Sequence, residues 1–146
     1  MTEIAFHFNA TDKLEYACRL LRKAFANAAK VVVTGEDQQL HALDSALWSF
    51  SAQTFIPHCI YDASIETLTH TPVVLVPGSQ LPETLLHRHV LLNLGQGLVK
   101  GFEAFERIIE IVSVNDEDKS QARKRWKYYA DRGYALLRHD VATVAP

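Results

Sequence analysis

Apolar and polar positions in the first fifty residues follow two different periods. Residues 3–8 place a large apolar side chain at every second position, which is typical of a strand. Residues 14–28 repeat apolar side chains at helical spacing opposite a charged face, with Thr11 as the expected N-cap of that helix. The β-branched run 30–34 predicts a strand buried on both faces, and an apolar stripe over residues 40–50 predicts a second helix. The chain therefore opens as βαβ units do.

The rest of the chain predicts further short strands separated by turns. Residues 51–58 predict an exposed loop, because they include a proline and show no consistent period. The later elements are predicted as strands at 73–76, 90–93 and 108–112, a helical turn at 102–105, a helix at 116–132 ended by Gly133, and a short apolar tail. The pattern indicates an α/β fold with a single domain over residues 1–146, a three-layer α/β/α sandwich with a mainly parallel or mixed sheet.

The turns after the predicted strands lack the residues that bind a nucleotide. The first turn reads Asn-Ala-Thr-Asp over residues 9–12, without the glycines that let a backbone approach a pyrophosphate. Glu36 and Asp37 follow the second strand and carry a charge that repels phosphate. We therefore expect no cofactor. A degenerate nucleotide-binding enzyme is the alternative from another functional class.

Other catalytic and metal-binding arrangements have little support in the sequence. His87 and His89 form a pair without a third ligand at a recognisable spacing, so we expect surface histidines rather than a metal site. His58 and Cys59 are adjacent and point to opposite faces of an extended chain, which prevents them from pairing as base and nucleophile. The sequence accordingly predicts a protein that is not an enzyme.

Composition and charge favour a globular cytoplasmic protein that contacts an anionic partner at one place. No apolar stretch reaches the roughly 20 residues that span a bilayer, the N-terminus does not resemble a signal peptide, and the two cysteines lie far apart. The net charge is −2, yet residues 119–132 hold six basic side chains against one acid. That segment carries +5 and the rest of the chain −7, which favours a local electrostatic contact.

A basic row on the last predicted helix is the first candidate binding surface. Lys119, Arg123 and Lys127 share one helix face with Trp126, although like charges four residues apart destabilise a helix. Such a patch fits a carboxylate-rich peptide whose apolar side chain is covered by the ring. The alternatives are a solvated face with the ring turned into the core, and direct binding of single-stranded DNA.

An aromatic cluster around the predicted loop is the second candidate surface. Trp48, Phe50 and Phe55 lie close together in the sequence, and Phe55 has mostly polar neighbours before Pro57. Aromatic side chains on loops frequently anchor protein interfaces. A loop pinned to its own core is the open alternative.

Motifs in these two regions resemble one protein family. Leu-Asp-Ser-Ala-Leu-Trp at 43–48, followed by Thr-Phe-Ile-Pro-His at 54–58, is similar to the L-D-x-x-L-W … F-x-P-H motif of the chi subunit of bacterial DNA polymerase III. Ala-Arg-Lys-Arg-Trp-Lys-Tyr-Tyr at 122–129, with Gly-Tyr at 133–134, resembles that family's A-R-x-R-W/Y-K-x-Y … G-Y/F signature. The resemblance covers essentially all 146 residues.

The resemblance implies a clamp-loader accessory subunit with two protein partners. Chi-family proteins pair one-to-one with the psi subunit, which tethers them to the clamp loader. They also bind the acidic C-terminal tail of single-stranded DNA-binding protein, which ends in an apolar residue and a free carboxylate. Their fold is an α/β/α sandwich, Rossmann-like but without the phosphate loop. A helicase or repair protein is a further candidate partner at the psi-binding surface.

The family's tail-binding patch, carried over by position, falls on the last helix and the strand before it. The residues implied are Lys119, Arg123, Trp126, Lys127, Val112 and Val114. Arg123 would bind the terminal carboxylate, and Trp126 would form one wall of an apolar pocket completed by the two valines. The two lysines would attract the acidic residues.

Two departures from the family pattern affect this patch. Trp126 stands where the family often has tyrosine, and Ala130 stands where a further basic residue on the same face is expected. Arg132 is the candidate replacement, at a less favourable angle on the helix. The motif expected to contact psi falls on Trp48, Phe55 and Pro57, with a core position for Trp48 as the alternative.

Overall fold

Seven strands form one sheet in the computed structural model, which describes residues 1–49, 55–83 and 85–143. The strands are β1 (Glu3–Ala10), β2 (Val31–Gly35), β3 (His58–Ile60), β4 (Val73–Pro77), β5 (Val90–Asn93), β6 (Arg107–Ser113) and β7 (Leu136–Asp140). They are ordered β3-β4-β2-β5-β6-β1-β7, and all pairings between them are parallel. The predicted α/β fold with a mainly parallel sheet is confirmed.

Helices cover both faces of this sheet. Those described are α1 (Lys13–Ala26), α2 (Asp37–Ser49), α3 (Ile65–His70) and α4 (Asp116–Asp131). Because side chains alternate along a strand, β2 sends Val31 and Val33 into a core with α1 and α2, and Val32 into a second core on the other face. The second core includes residues of α3, α4 and a 3₁₀ turn at Phe102–Ala104. The result is three layers.

Helices α1 and α4 begin at specific polar caps. Asp12 caps α1, where its Oδ1 accepts a hydrogen bond from the Glu15 N–H at 3.0 Å, so the prediction of Thr11 was wrong by one residue. Asn115 caps α4 through its Oδ1, which accepts from the Asp118 N–H at 3.1 Å. Gly133 follows α4 with φ +81°, a left-handed conformation that ends the helix as predicted.

The sequence pattern misses the short elements β3, α3 and β7. The predicted loop ends in β3, which has only three residues, and α3 has only six, so neither shows a usable period. The predicted apolar tail is wrong, because Leu136–Asp140 forms β7 along the outer side of β1. Three of its five residues are polar, as suits an edge strand. Phe50 and residues 51–54 of the predicted loop lie outside the described residues.

The two predicted binding regions fall near opposite edges of the sheet. β3 and β7 are the outermost strands, and five strands lie between them. At about 4.8 Å per strand, β3 and β1 are separated by about 24 Å. In the part of the chain that the structure describes, no helix has the length and apolar character needed to cross a membrane.

Candidate functional site

A cavity of about 470 Å³ opens between α4 and the β1–β7 edge of the sheet. It is lined by Phe6, Phe8, Asn9, Val112, Ser113, Lys119, Ala122, Arg123, Trp126 and Arg138. Four elements therefore contribute to its lining: the ends of β1 and β6, one face of α4, and β7. We call this space the basic cavity.

The floor of the basic cavity is apolar. Phe6, Val112 and Ala122 are buried, and Trp126 is half-buried with its ring 5.2 Å from the Phe6 ring in an edge-to-face arrangement. Beneath them Tyr129 contacts the same Phe6 ring at 6.0 Å. Trp126 is thus a wall of the cavity. The alternative interpretation, in which the ring turns fully into the core, does not match its half-buried position.

Positively charged side chains lie on two sides of this apolar floor. Lys119 and Arg123 project from α4, and Arg138 projects from β7 with its guanidinium carbon 5.1 Å from the centre of the Phe8 ring. Asn9 and Ser113 are polar residues of the lining, and the Asn9 amide donates to Asp140 Oδ1 at 3.1 Å. An apolar space between positive side chains suits a ligand that is both anionic and apolar.

The structure brings together four of the six predicted residues of this site. Val112, Lys119, Arg123 and Trp126 line the basic cavity, whereas Lys127 and Val114 are absent from its described lining. Val114 is 47% exposed. At 100° per residue, Trp126 lies about 20° from Lys119 around the helix, but Lys127 lies about 80° away. Lys119 and Arg123 therefore line the cavity, whereas Lys127, the last residue of the basic row, lies around the helix from it.

Arg132 lies just beyond the end of α4, at its C-cap. Its guanidinium carbon lies 3.5 Å from the centre of the Tyr128 ring, and its Nη1 donates to the Tyr128 carbonyl oxygen at 3.3 Å. It is not among the residues described around the cavity, so Arg132 does not replace the basic residue missing at Ala130.

Sequence reasoning missed six residues of the described cavity lining, namely Phe6, Phe8, Asn9, Ser113, Ala122 and Arg138. Phe8 was recognisable as the last apolar position of the alternating first strand. Asn9 and Arg138 gave no usable signal, because Asn9 has φ +67° at an irregularity in the β1–β6 pairing and Arg138 belongs to the missed strand β7. Recognising β7 was the step needed to find the third cation.

A buried polar network fixes α4 behind the cavity. Arg125 Nε donates to Glu110 Oε1 at 3.2 Å, and Tyr129 Oη donates to Glu110 Oε2 at 2.8 Å. Arg125 Nη1 also donates to the Gln96 carbonyl oxygen at 2.5 Å. Arg125 and Tyr129 thus lie on the face of α4 that packs against the sheet. This packing leaves Lys119 and Arg123 at the cavity.

A second ion pair holds the start of α4 against α1. Lys13 Nζ lies 3.1 Å from Asp118 Oδ2, which also accepts from the Ser113 N–H at 2.8 Å. Burial alone would raise the pKa of Asp118, but the Ser113 N–H and the Lys13 ammonium outweigh it and hold that pKa below its usual value. This carboxylate is therefore committed to the fold.

An aromatic patch lies near the opposite edge of the sheet. Trp48 is 63% exposed and Phe55 is 51% exposed, with their ring centres 5.1 Å apart. The core position considered for Trp48 is therefore wrong. Pro57 is half-buried beside them, whereas Ile56 is buried in the core and anchors the segment. Ile56 therefore fits the interpretation of a loop pinned to its own core. The exposed Phe55 fits the interpretation of an aromatic interface anchor.

His58 supports the aromatic patch from below. Its Nε2 lies 2.8 Å from Asp44 Oδ1, and its Nδ1 lies 2.7 Å from the Ile56 carbonyl oxygen. The His58 ring also contacts Trp48, with ring centres 5.2 Å apart. Helix α2 and the segment before β3 are thereby held together beneath the two exposed rings.

The crevice at the carboxyl ends of β2 and β5 is occupied by the protein's own groups. Ligands of doubly wound sheets bind at this point, where the connections leave in opposite directions. Here Asn93 Oδ1 accepts from Thr34 Oγ1 at 3.1 Å and from the Gly95 N–H at 3.0 Å. Its amide donates to the Gly97 carbonyl oxygen and to Glu110 Oε1.

The described histidines and cysteines do not assemble into a recognisable metal centre. Within the described ranges there is no group of three or more His, Cys, Asp and Glu side chains placed to hold a metal ion. His89 Nδ1 instead accepts from the Lys30 N–H at 3.2 Å. Cys18 is buried, and burial raises its pKa to about 11.

Comparison with known proteins identifies one family. The model of the family "DNA polymerase III chi subunit, HolC" matches residues 1–137. The chain is 29% identical over 149 residues to DNA polymerase III subunit chi of Pseudomonas aeruginosa, covering 99% of this chain and 100% of that protein. It is 30% identical over 128 residues to the subunit of Haemophilus influenzae, covering 87% and 86%. Identity to the Escherichia coli subunit is 26% over 123 residues, covering 84% and 81%.

Proposed function

The chain belongs to the DNA polymerase III chi subunit family, and we propose that it acts as a single-domain, non-catalytic adaptor in the replicative polymerase. In this proposal it binds psi, and through psi the clamp loader, at one surface. At the other it binds the acidic C-terminal tail of single-stranded DNA-binding protein. It works in the cytoplasm, at the nucleoid where the replisome assembles.

The basic cavity is the observation that carries the tail-binding half of this proposal. Its apolar floor fits the last side chain of a peptide, and its cations fit the terminal carboxylate and the acids before it. Arg123 is assigned to the carboxylate, because guanidinium binds carboxylate with two parallel hydrogen bonds. Lys119 is assigned to a neighbouring acidic side chain, and Trp126 to the wall of the apolar pocket. Lys127 adds attraction from outside the lining.

Direct binding of single-stranded DNA fits this surface less well. The first turn of α4 carries the exposed carboxylates of Asp116 and Glu117 beside the basic row, so a polyanion following the helix meets negative charge within one turn. A short peptide needs only the cavity itself. The occupied crevice at the ends of β2 and β5 gives no support to the nucleotide-binding alternative.

The aromatic patch supports the psi-binding half of the proposal. Two exposed rings that are held rigidly from below are suitable anchors for a protein interface, since aromatic hot spots contribute most when they are pre-positioned. Trp48, Phe55 and Pro57 are therefore assigned to psi, with a helicase or repair protein as a possible competitor for the same patch. The separation of about 24 Å between β3 and β1 leaves room for both partners.

Fluorescence anisotropy with three labelled probes tests tail binding. The probes are an acidic peptide with an apolar last residue and a free carboxylate, the same peptide amidated at its end, and a single-stranded oligonucleotide. We expect binding of the first probe, loss of it in Arg123→Glu, and retention in Lys124→Glu, an exposed neighbour outside the described cavity lining. Unchanged binding by Arg123→Glu would contradict the site, and preferential binding of the oligonucleotide would contradict the function.

A further inference from the structure

The basic cavity receives a cation from a strand that lies outside the family motif on α4. Position 130 of that helix is alanine, and Arg132 stacks on Tyr128 away from the cavity. The third positive side chain in the described lining is Arg138, on β7. We propose that Arg138 is a specificity-determining residue, which binds an acidic side chain upstream of the terminal carboxylate and directs the bound tail across β7. This inference rests on the proposed function.

The register of the sheet places Arg138 opposite α4 across the floor. In the β1–β7 pairing Phe6 is the partner of Arg138, and the Arg138 guanidinium lies over the Phe8 ring. Phe6, whose ring contacts Trp126, and Phe8, whose ring contacts Arg138, therefore link the wall of the cavity on α4 to β7. A peptide whose last side chain rests on this floor has Arg123 on one side and Arg138 on the other.

The charges around the cavity favour one direction for the rest of the tail. Toward the start of α4 an acidic tail meets the exposed carboxylates of Asp116 and Glu117. Toward β7 it meets Arg138, while the nearby Asp140 carboxylate accepts hydrogen bonds from the Asn9 amide and the Ala142 N–H. Like charges disfavour the first route and the guanidinium favours the second.

Arg138 is suited to this role because it is exposed and already oriented. Stacking on Phe8 restricts the guanidinium without removing it from water, so little rotamer freedom is lost when a carboxylate binds. An exposed charged pair of this kind changes affinity about two- to fivefold. The contribution should depend on the acidic side chains of the peptide and not on its terminal carboxylate.

Two peptides and four variants separate this role from packing. The first peptide has acidic residues before an apolar last residue with a free carboxylate, and the second replaces those acids by asparagine or glutamine. We expect Arg138→Gln to weaken the first peptide about fivefold and the second less than about twofold. Arg123→Gln should weaken both peptides alike, and Lys124→Gln should change neither. Arg138→Lys should retain most of the preference for the acidic peptide.

Each outcome has a distinct meaning. Equal losses with both peptides in Arg138→Gln, or no loss with either, would overturn the role of Arg138 while leaving the proposed function intact. Failure of the unmodified protein to bind the acidic peptide would overturn the proposed function, and this inference with it. Circular dichroism of each variant checks that the substitution has not unfolded the protein.

Discussion

Arg125 on α4 and Glu110 on β6 form an ion pair in the interior, with 3.2 Å between Arg125 Nε and Glu110 Oε1. Burial raises the pKa of Glu110, whereas the Arg125 charge and hydrogen bonds from Tyr129 and Asn93 act in the opposite direction. The pair connects the inner face of the helix to the sheet, while the outer face carries Lys119 and Arg123. Within one basic segment, Arg125 therefore holds the helix on the sheet, while Lys119 and Arg123 line the cavity to which the proposed function assigns the ligand.

Removing Arg125 should destabilise the fold far more than removing its exposed neighbour. Arg125→Leu leaves the Glu110 carboxylate buried without its cation, which costs about 3–5 kcal/mol in the free energy of unfolding. Lys124→Leu should change that free energy by about 0.5 kcal/mol or less. Urea denaturation measures both, and a loss below about 1 kcal/mol in Arg125→Leu would show that α4 is not anchored by this pair.

Trp48 and Leu47 are neighbours on α2 with opposite expected phenotypes. Leu47 is 1% exposed in the core, so Leu47→Ala should cost about 2–5 kcal/mol in the free energy of unfolding. Trp48→Ala should leave stability nearly unchanged and weaken psi binding by about tenfold or more. Denaturation combined with calorimetric titration of psi measures both effects. Unaltered psi affinity in Trp48→Ala would remove the aromatic patch from that interface.

Acidification should destabilise the protein through His7. Burial, followed by the charge of His139, lowers the pKa of His7 from 6.5 to about 4 in the folded protein. The unfolded chain therefore binds a proton first, and stability falls as the pH drops from about 6.5 toward 4, with no contribution from this group above that window. His7→Gln should flatten the curve of unfolding free energy against pH between 5 and about 7. An unchanged slope would contradict the assignment.

Salt should distinguish the two binding surfaces within one protein. Raising ionic strength from about 0.05 M to about 0.5 M shortens the screening length severalfold, so the tail peptide should bind at least about tenfold more weakly. Psi binding through exposed aromatic rings should change much less, because apolar burial is not screened. Parallel titrations of both ligands over this range test the contrast. A tail affinity that is independent of salt would contradict contact with Lys119 and Arg123.

The sequence predicts the central strands and long helices because their patterns are strong. Val31, Val32 and Val33 are buried on both faces, which explains the uninterrupted apolar run. β7 escapes prediction because it is an edge strand beside β1 and three of its five residues are polar, so neither alternation nor an apolar run marks it. Its position depends on β1, which lies over a hundred residues earlier in the chain.

In the candidate site, too, local spacing predicts some residues, and the others depend on contacts that the local sequence does not show. Spacing on one helix was sufficient to group Lys119, Arg123 and Trp126. It was insufficient for Lys127, because a helix turns by 100° per residue and the row drifts off the cavity. It also could not show that Arg125, inside the same basic motif, is buried against Glu110. Which members of a charged run face solvent depends on what the helix packs against.

Simultaneous binding of both partners is the most direct test of the adaptor account. A labelled acidic tail peptide with a free carboxylate is titrated with the chain alone and with the chain saturated by psi, and the complexes are sized by analytical ultracentrifugation. Because the two surfaces lie near opposite edges of the sheet, the peptide dissociation constant should agree within about twofold, with a 1:1:1 complex. Displacement of the peptide by psi would contradict an adaptor that joins the two partners.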